Sequence, residues 1–184
     1  MLGRKIFSLE HCNYLKYYIR MYDQSSVRYI ERTRQYYRAL GYERDYRWAR
    51  NDGQPFAHLK NSLTETQISI VVTSAPPGNW SPPENAPPKE VWSGATQGSS
   101  APKSLYNENL AWDKESTHTR DRESYLPINA LQTLKNEGLI KGISTKFHSV
   151  PTVYSHRTTI EHDAPEILSR VISDHADAAL LVPL

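Results

Sequence analysis

The densest group of side chains that could carry out chemistry lies in the carboxyl-terminal quarter of the chain. It consists of His148, His156, Arg157, Glu161 and His162, with Asp163 next in sequence. Histidine and carboxylate side chains are common metal ligands. Their spacing does not match H-E-x-x-H, in which two histidines share one face of a helix, so the sequence disfavours a metal site and we expect none. We take the first five residues as candidates for substrate binding.

Asp163 is expected to begin a helix. Glu166 follows it by three residues, as in a capping box, and Pro165 suits a first helical turn. The candidate residues would then surround the mouth of this helix. Free backbone N–H groups and the positive end of the helix dipole favour anions there. Two interpretations stay open, a plain helix cap and a pocket for the carboxylate of an amino-acid-derived substrate.

The elements that must position these residues alternate between helices and short apolar strands. Helices are expected at Val27–Leu40, at Ser124–Lys141 and from Asp163, and strands at Gln67–Thr73, Gly142–Phe147 and Ala178–Val182. This alternation predicts an α/β fold with a mostly parallel sheet and flanking helices. Gln67–Thr73 and Ala178–Val182 are near-continuous apolar runs, so we expect both to be buried strands of one parallel sheet.

A proline-rich stretch interrupts the pattern at Ala75–Ser104, which holds seven of the chain's twelve prolines. Proline lacks the backbone N–H that a helix or a strand ladder needs, so this stretch is expected to be a long loop. It follows the carboxyl end of a predicted strand, as an active-site loop would, but a surface insertion fits equally well. Trp80 and Trp92 indicate that part of it packs against the protein.

Charge and composition exclude several classes of function. The 184 residues carry a formal net charge of only +2, which gives no strong field for nucleic acid or for an anionic membrane. Basic residues between Arg28 and Arg50 are mixed with acidic ones, so a solvated helix face is favoured over a nucleic-acid surface. No apolar run approaches the ~20 residues of a membrane span. No G-x-S-x-G motif of a serine hydrolase is present.

Cysteine usage favours a reducing compartment. Cys12 is the single cysteine, so no disulfide can form within the chain, and a cytoplasmic location is expected. It lies in residues 1–26, a tyrosine-rich extension without a helical or strand pattern, and a start codon assigned too early would account for that extension. With no second cysteine to resolve it, Cys12 is not expected to be a redox thiol.

Several ordered segments resemble one enzyme family. Three of them are R-D-R-E-S-Y-L-P at Arg120–Pro127, T-I-E-H-D-A-P-E-I-L at Thr159–Leu168 and D-A-A-L-L-V-P at Asp177–Pro183. The others lie at Tyr29–Tyr42, Leu110–His118 and Phe147–Thr152. Together they resemble the selenoprotein B family of glycine, sarcosine and betaine reductases, which also includes D-proline reductase components. The resemblance runs from about Val27 to Leu184. It implies that residues 27–184 are the N-terminal part of one reductase-like domain.

The resemblance implies reductive cleavage of a C–N bond. In this family a selenocysteine or cysteine follows the proline at the strand end, here Pro183, and attacks the carbon next to the substrate carboxylate, displacing an amine. Thioredoxin-like dithiols supply the electrons, and other subunits of the complex receive the product. The nucleophile is therefore expected beyond Leu184, the chain alone is expected to be inactive, and no other cofactor is implied. A selenocysteine codon read as stop, a frameshift and a truncated gene would each end the sequence here.

A second hypothesis belongs to a different class. The chain could be a non-catalytic α/β module for binding or assembly. The sequence does not identify a substrate, since the family acts on several small amino-acid derivatives.

Overall fold

The computed structural model describes residues 28–45, 47, 49–50, 52–53, 57–78, 80, 85–107, 118–153 and 155–183. The chain divides into two compact units, Met1–Asp52 and Gly53–Leu184. Predictions for residues 1–26, including Cys12, and for most of Leu110–His118 lie outside the described residues.

The described part of the first unit contains one helix, α1 (Tyr29–Ala39), close to the predicted bounds. Gly41 follows it with a φ of 87°, the left-handed conformation that glycine adopts most readily at a helix end. The Arg38 guanidinium donates two hydrogen bonds to Asp45, at 2.8 and 2.6 Å. This bidentate pair raises the pKa of Arg38 further above its ordinary value.

The second unit is built on a five-stranded, mostly parallel sheet. Its strands are β1 (Gln67–Val72), β2 (Trp92–Ala95), β3 (Gly142–Ile143), β4 (Lys146–Ser149) and β5 (Ala178–Val182). The central strand, β1, pairs in parallel with β3 and β4 on one side and with β5 on the other. The prediction that the first and last apolar runs share one parallel sheet is therefore confirmed.

The sequence predicted a long loop at Ala75–Ser104, but the structure shows that this proline-rich stretch is not a continuous loop. It contains β2, which pairs antiparallel with β4 at one edge of the sheet. Trp92 begins this strand, stacks edge-on against Phe147 with 5.4 Å between ring centroids, and donates its indole N–H to the Ser74 carbonyl at 2.8 Å. The aromatic contact holds β2 in place despite the prolines around it, because burying an aromatic pair outweighs weak local strand propensity.

One face of the sheet carries the main hydrophobic core. Helix α2 (Ile128–Asn136) packs there, and the buried cluster contains Ile70, Val72, Leu105, Tyr125, Leu126, Ile128, Leu131, Ile140, Ile143 and Phe147. The helix is shorter than the predicted Ser124–Lys141, because Arg122–Ser124 forms a separate 3₁₀ turn. Glu123 in that turn accepts hydrogen bonds from the backbone N–H groups of Asn129 and Ala130, so this charged residue caps α2.

The opposite face carries a helical run that begins earlier than predicted. It comprises α3 (His156–Thr158), a π-helical segment (Thr159–Asp163) and α4 (Ala164–Ser173). The Ser155 side chain accepts from the Thr158 N–H at 3.2 Å and caps the start of the run. The prediction that Asp163 caps the helix is wrong, because Asp163 has helical dihedral angles and its side chain makes no cap hydrogen bond.

The π-helical segment has an identifiable cause. Pro165 lies in the first turn of α4 and has no N–H for the carbonyl four residues earlier, and its ring would crowd that carbonyl in a regular α-helix. One wider turn before the proline relieves this crowding. The helix therefore continues through Asp163, and no helix N-terminus is available there for an anion.

Strand β5 is an edge strand, not the doubly buried strand that its composition predicted. It pairs only with β1 in the described part of the chain, and Leu180 and Leu181 are 38% and 69% exposed. Its start is fixed by the Asp177 carboxylate, which accepts the Gln67 N–H at 2.8 Å. None of the helices within the described ranges is long and apolar enough to cross a membrane.

Replacing Gly94 with alanine should destabilise this sheet by about 1–3 kcal/mol. A Cβ atom at Gly94 would lie 2.5 Å from the ring of Phe147, which is fully buried and cannot move aside without disturbing the core. Urea unfolding gives the change in free energy. Gly142→Ala is the matched control on β3, since its Cβ would make only ordinary contacts at 3.6 Å and beyond. Equal losses in both variants would show that the Phe147 contact is not the cause.

Candidate functional site

The second unit presents three places where the predicted site residues and their neighbours could act. They are an open polar cleft, a buried hydrogen-bonded chain beside it, and an apolar groove at the carboxyl ends of the parallel strands. The five sequence candidates are not brought together at one of them.

The cleft has a volume of about 640 Å³ and lies between the segment before β2 and the helical run. Its charged and polar lining consists of Lys89, Glu90, Thr158, Glu161, His162, Asp163, Glu166 and Arg170. Two of the predicted candidates, Glu161 and His162, are exposed in this cleft. His156 and Arg157 are exposed in the first turn of the run and do not line it. Acidic groups outnumber basic ones, which disfavours the predicted carboxylate pocket at this position.

Arg170 connects the cleft to the interior. Its guanidinium donates to the Glu166 carboxylate at 2.8 Å, one helical turn earlier, and to the Ser93 hydroxyl at 2.9 Å. The first contact is an ordinary i,i+4 ion pair on α4. The second fixes the side chain over β2, so Arg170 forms part of the cleft wall and its charge lies beside the buried residues below.

His148, the remaining candidate, is buried on β4 with only 1% of its side chain exposed. Its Nδ1 lies 2.8 Å from the Ser93 hydroxyl, and its Nε2 lies 3.2 Å from an Asp174 carboxylate oxygen. The Nε2 contact falls outside hydrogen-bond geometry, so the attraction between these two groups is mainly electrostatic. Because Arg170 donates to Ser93, the Ser93 O–H is available for Nδ1, and this assigns the proton of the neutral ring to Nε2.

Burial lowers the pKa of His148 below its ordinary value. Asp174 opposes this shift, while the positive charges of Arg170 and Lys146 add to it. The ring is therefore neutral at neutral pH. Protonation would place a cation close to Arg170 in a region that water does not reach.

Ser93, His148 and Asp174 have the residue types of a catalytic triad, but their arrangement favours a structural role. In a serine hydrolase the serine contacts Nε2 and the carboxylate holds Nδ1. Here the order of the ring atoms is reversed, and the Ser93 oxygen is held by both Arg170 and His148. The contacts that link Arg170, Ser93, His148 and Asp174 connect α4 to β2 and β4.

The apolar groove has a volume of about 520 Å³. It lies beside α4, between this helix and the strands β1 and β5. It is lined by Val71, Val72, Thr73, Val150, Ala164, Ile167, Leu168, Val171, Ala179, Leu181, Val182 and Pro183. No charged side chain is among them. The groove reaches the carboxyl ends of β1 and β5, which lie side by side because Val72 pairs with Val182.

The described residues contain no group of three or more histidine, cysteine, aspartate or glutamate side chains that could hold a metal ion. Comparison with models of known protein families, with curated proteins and with solved structures gives no match for this chain.

Sequence reasoning missed Ser93, Asp174 and Arg170 as partners of His148. Ser93 and His148 are 55 residues apart, and Ser93 and Arg170 are 77 apart, so no local spacing links them. Glu166 and Arg170 gave the one local signal, since opposite charges four residues apart on a helix attract each other.

Proposed function

We propose that this chain is the N-terminal part of a reductase subunit of the selenoprotein B type, which cleaves a C–N bond of a small amino-acid derivative. A selenolate or thiolate supplied beyond Leu184 would attack the carbon next to the carboxylate. A C–Se or C–S bond forms as the C–N bond breaks, and the departing amine takes a proton. One thiolate of a dithiol donor would then attack the selenium or sulfur, and the C–Se or C–S bond would break as the carbon takes a proton. The second thiol of the donor would close the disulfide and release the selenolate or thiolate, so the donor supplies the two electrons.

The observation that carries this proposal is the position of β5. It runs parallel to β1 in register, with Val182 level with Val72, so both strands end at the same edge of the sheet. In open α/β sheets, ligands and reactive groups collect beyond the carboxyl ends of the strands. A residue following Pro183 would emerge at this edge, next to the apolar groove that Pro183 lines.

The apolar character of this groove also suits the proposed chemistry. The twelve lining residues carry no charge, so a reaction at their edge would be shielded from water on one side. Electrostatic interactions with a substrate strengthen where water is excluded. A thiolate or selenolate there would need a nearby cation or N–H group, which the proposed downstream segment would have to supply.

The chain extended past Leu184 with cysteine, in a Cys12→Ser background, should contain one thiol that iodoacetamide alkylates at neutral pH. Glycine, sarcosine, betaine or proline should slow this alkylation if the thiol faces a substrate site. The matched control is the 184-residue Cys12→Ser chain, which has no thiol and should take up no label.

A further measurement, of dithiol-dependent turnover, tests the proposal together with the alkylation. Dithiol-dependent turnover should be absent in the 184-residue chain and should appear only after extension with selenocysteine or cysteine. Turnover by the Cys12→Ser chain without extension would refute the assigned nucleophile. A thiol in the extended chain that stays inert to alkylation would also contradict the proposal.

A second candidate, a non-catalytic assembly module, is favoured by one specific observation. No described strand covers the outer edge of β5, and the adjacent groove is apolar, with Leu181 at 69% and Leu168 at 58% exposure. Open strand edges and apolar patches are common places for another chain to bind. An inert thiol in the extended chain, together with self-association lost on Leu181→Lys, would support the module over the reductase.

A further inference from the structure

The charged cleft described above contains a largely buried aspartate that has no partner among the described residues. Asp163 is 7% exposed, lines the cleft, and makes no hydrogen bond or ion pair with another described residue. Its carboxylate oxygens are not among the fully buried unpartnered atoms of the described residues, so they open on the cleft, where a donor or a cation can compensate their charge. The neighbouring acidic side chains cannot supply that donor or cation. The Asp163 carboxylate is therefore available to a ligand that carries one.

The sign of the cleft's charge indicates what would bind. Its lining holds four acidic residues, Glu90, Glu161, Asp163 and Glu166, against the two cations Lys89 and Arg170, with His162 exposed among them. Glu166 and Arg170 neutralise one another as an ion pair. Three carboxylates then remain against one lysine, so the cleft attracts a cation and repels a carboxylate.

The geometry disfavours a metal ion as this cation. No three ligand side chains in the described ranges come close enough together to hold one. An ammonium group needs less, because each of its N–H donors can bind a separate carboxylate oxygen or be met by water. The cleft volume of about 640 Å³ also exceeds what a bare ion would occupy and can accept a small organic molecule.

The π-helical segment explains why Asp163 is presented this way. The wider turn before Pro165 keeps Asp163 within the helix, and Glu161 of the same segment also reaches the cleft. The second wall comes from the chain before β2, where Glu90 adds a carboxylate from another element. Carboxylates on both walls can contact one ligand from two directions.

We propose that this cleft binds a small organic ammonium compound, with Asp163 as the main anchor and Glu90 and Glu161 as supporting charges. The ammonium group donates hydrogen bonds to the Asp163 carboxylate inside the cleft. This inference rests on the cleft alone and does not depend on the proposed reductase activity. It also differs from the carboxylate pocket that the sequence predicted here.

NMR titration of the 184-residue chain with methylammonium and with 1,4-diaminobutane tests the inference. Saturable shifts are expected for backbone amides around Glu161–Asp163, and Asp163→Asn should weaken binding about tenfold to a hundredfold, as expected for loss of a charge-assisted hydrogen bond. Asparagine keeps the shape of the side chain and removes its charge, so the fold should persist, which the amide spectrum verifies.

The matched control is Glu137→Gln, which removes one negative charge from an exposed residue at the end of α2. It should leave the affinity unchanged. An equal loss in both variants would show only screening by net charge and would overturn the inference. Unchanged affinity in Asp163→Asn would also overturn it, as would Mg²⁺ or Ca²⁺ binding more tightly than either amine at the same residues.

Discussion

Replacing Phe147 with alanine should lower the free energy of unfolding of the second unit by about 3–5 kcal/mol. Phe147 is fully buried on β4, within the cluster that joins the sheet to α2, and its ring meets Trp92 edge-on at 5.4 Å. Truncation removes buried apolar surface, leaves a cavity and breaks the aromatic contact that holds β2. A loss of this size is a large part of the total stability of an ordinary domain.

Urea unfolding monitored by tryptophan fluorescence and by circular dichroism measures this loss. Leu139→Ala is the control for removing a large apolar side chain at an exposed position, since Leu139 is 51% exposed, and its effect should stay within about 0.5 kcal/mol. Combining Phe147→Leu with Gly94→Ala should cost less than the sum of the two changes, because a smaller side chain leaves room for the new Cβ. A small loss in Phe147→Ala, comparable to Leu139→Ala, would contradict the assigned core.

The parts of the fold that the sequence predicted correctly are those set by local chemistry. Gln67–Val72 and Ala178–Val182 are apolar, rich in side chains suited to strands, and bounded by polar residues, so both strands were recognisable. Gly41 and Gly138 follow the ends of α1 and α2, and both have the positive φ that glycine adopts readily. Each of these signals acts within a few residues, where sequence patterns are most informative.

The parts that the sequence did not predict depend on contacts between distant residues. Strand β2 forms among prolines because Trp92 packs on Phe147, and no local pattern announces that contact. The exposure of β5 follows from which strands pair with it, because an apolar run looks the same at the centre of a sheet and at its edge. Composition alone could not distinguish these positions.

The start of the helical run was misplaced for a local reason. Asp163, Pro165 and Glu166 have the composition of a helix start, but the π-helical turn lets the helix pass through this sequence. The true cap, Ser155, was also visible as a residue type suited to that position. The sequence therefore contains two helix-start signals close together. The signal at Asp163 has more matching residues, but the helical run begins after Ser155.

The candidate site was predicted only in part for the same reason. Glu161 and His162 reach the cleft together because they are neighbours in one helical segment. His148 belongs to a different environment, which is created by Ser93 on β2 and by Arg170 and Asp174 on or after α4. The residues that are clustered in sequence are therefore separated in the structure. Glu161 and His162 line the surface cleft, His148 is buried, and His156 and Arg157 are exposed outside the cleft.

That buried chain should make the stability of the protein depend on pH through His148. An unfolded histidine has a pKa of about 6.5, and burial lowers the pKa of His148 in the folded protein. Between the two values the unfolded state binds more protons than the folded state. The free energy of unfolding should therefore be highest above about pH 7 and should fall as the pH is lowered through ~6.5.

The fall from this one residue cannot exceed about 1.4 kcal/mol per pH unit, and it ends once the pH drops below the folded-state pKa. His148→Asn should remove this slope between about pH 5 and pH 7, because asparagine does not titrate. His175→Asn is the matched control: His175 is exposed and has a φ of 53°, which asparagine tolerates. It should keep the wild-type slope.

Urea unfolding at half-unit pH steps separates the outcomes. The charges that face His148 are those of Asp174, Arg170 and Lys146, and protonation would strengthen its attraction to Asp174 while setting it against the two cations. Desolvation is the larger effect, so the net result is destabilisation. Stability that rises as the pH is lowered from 7 to 5 would show that Asp174 dominates the site and that the buried ring is charged. A slope that survives His148→Asn would show that groups other than His148 cause it.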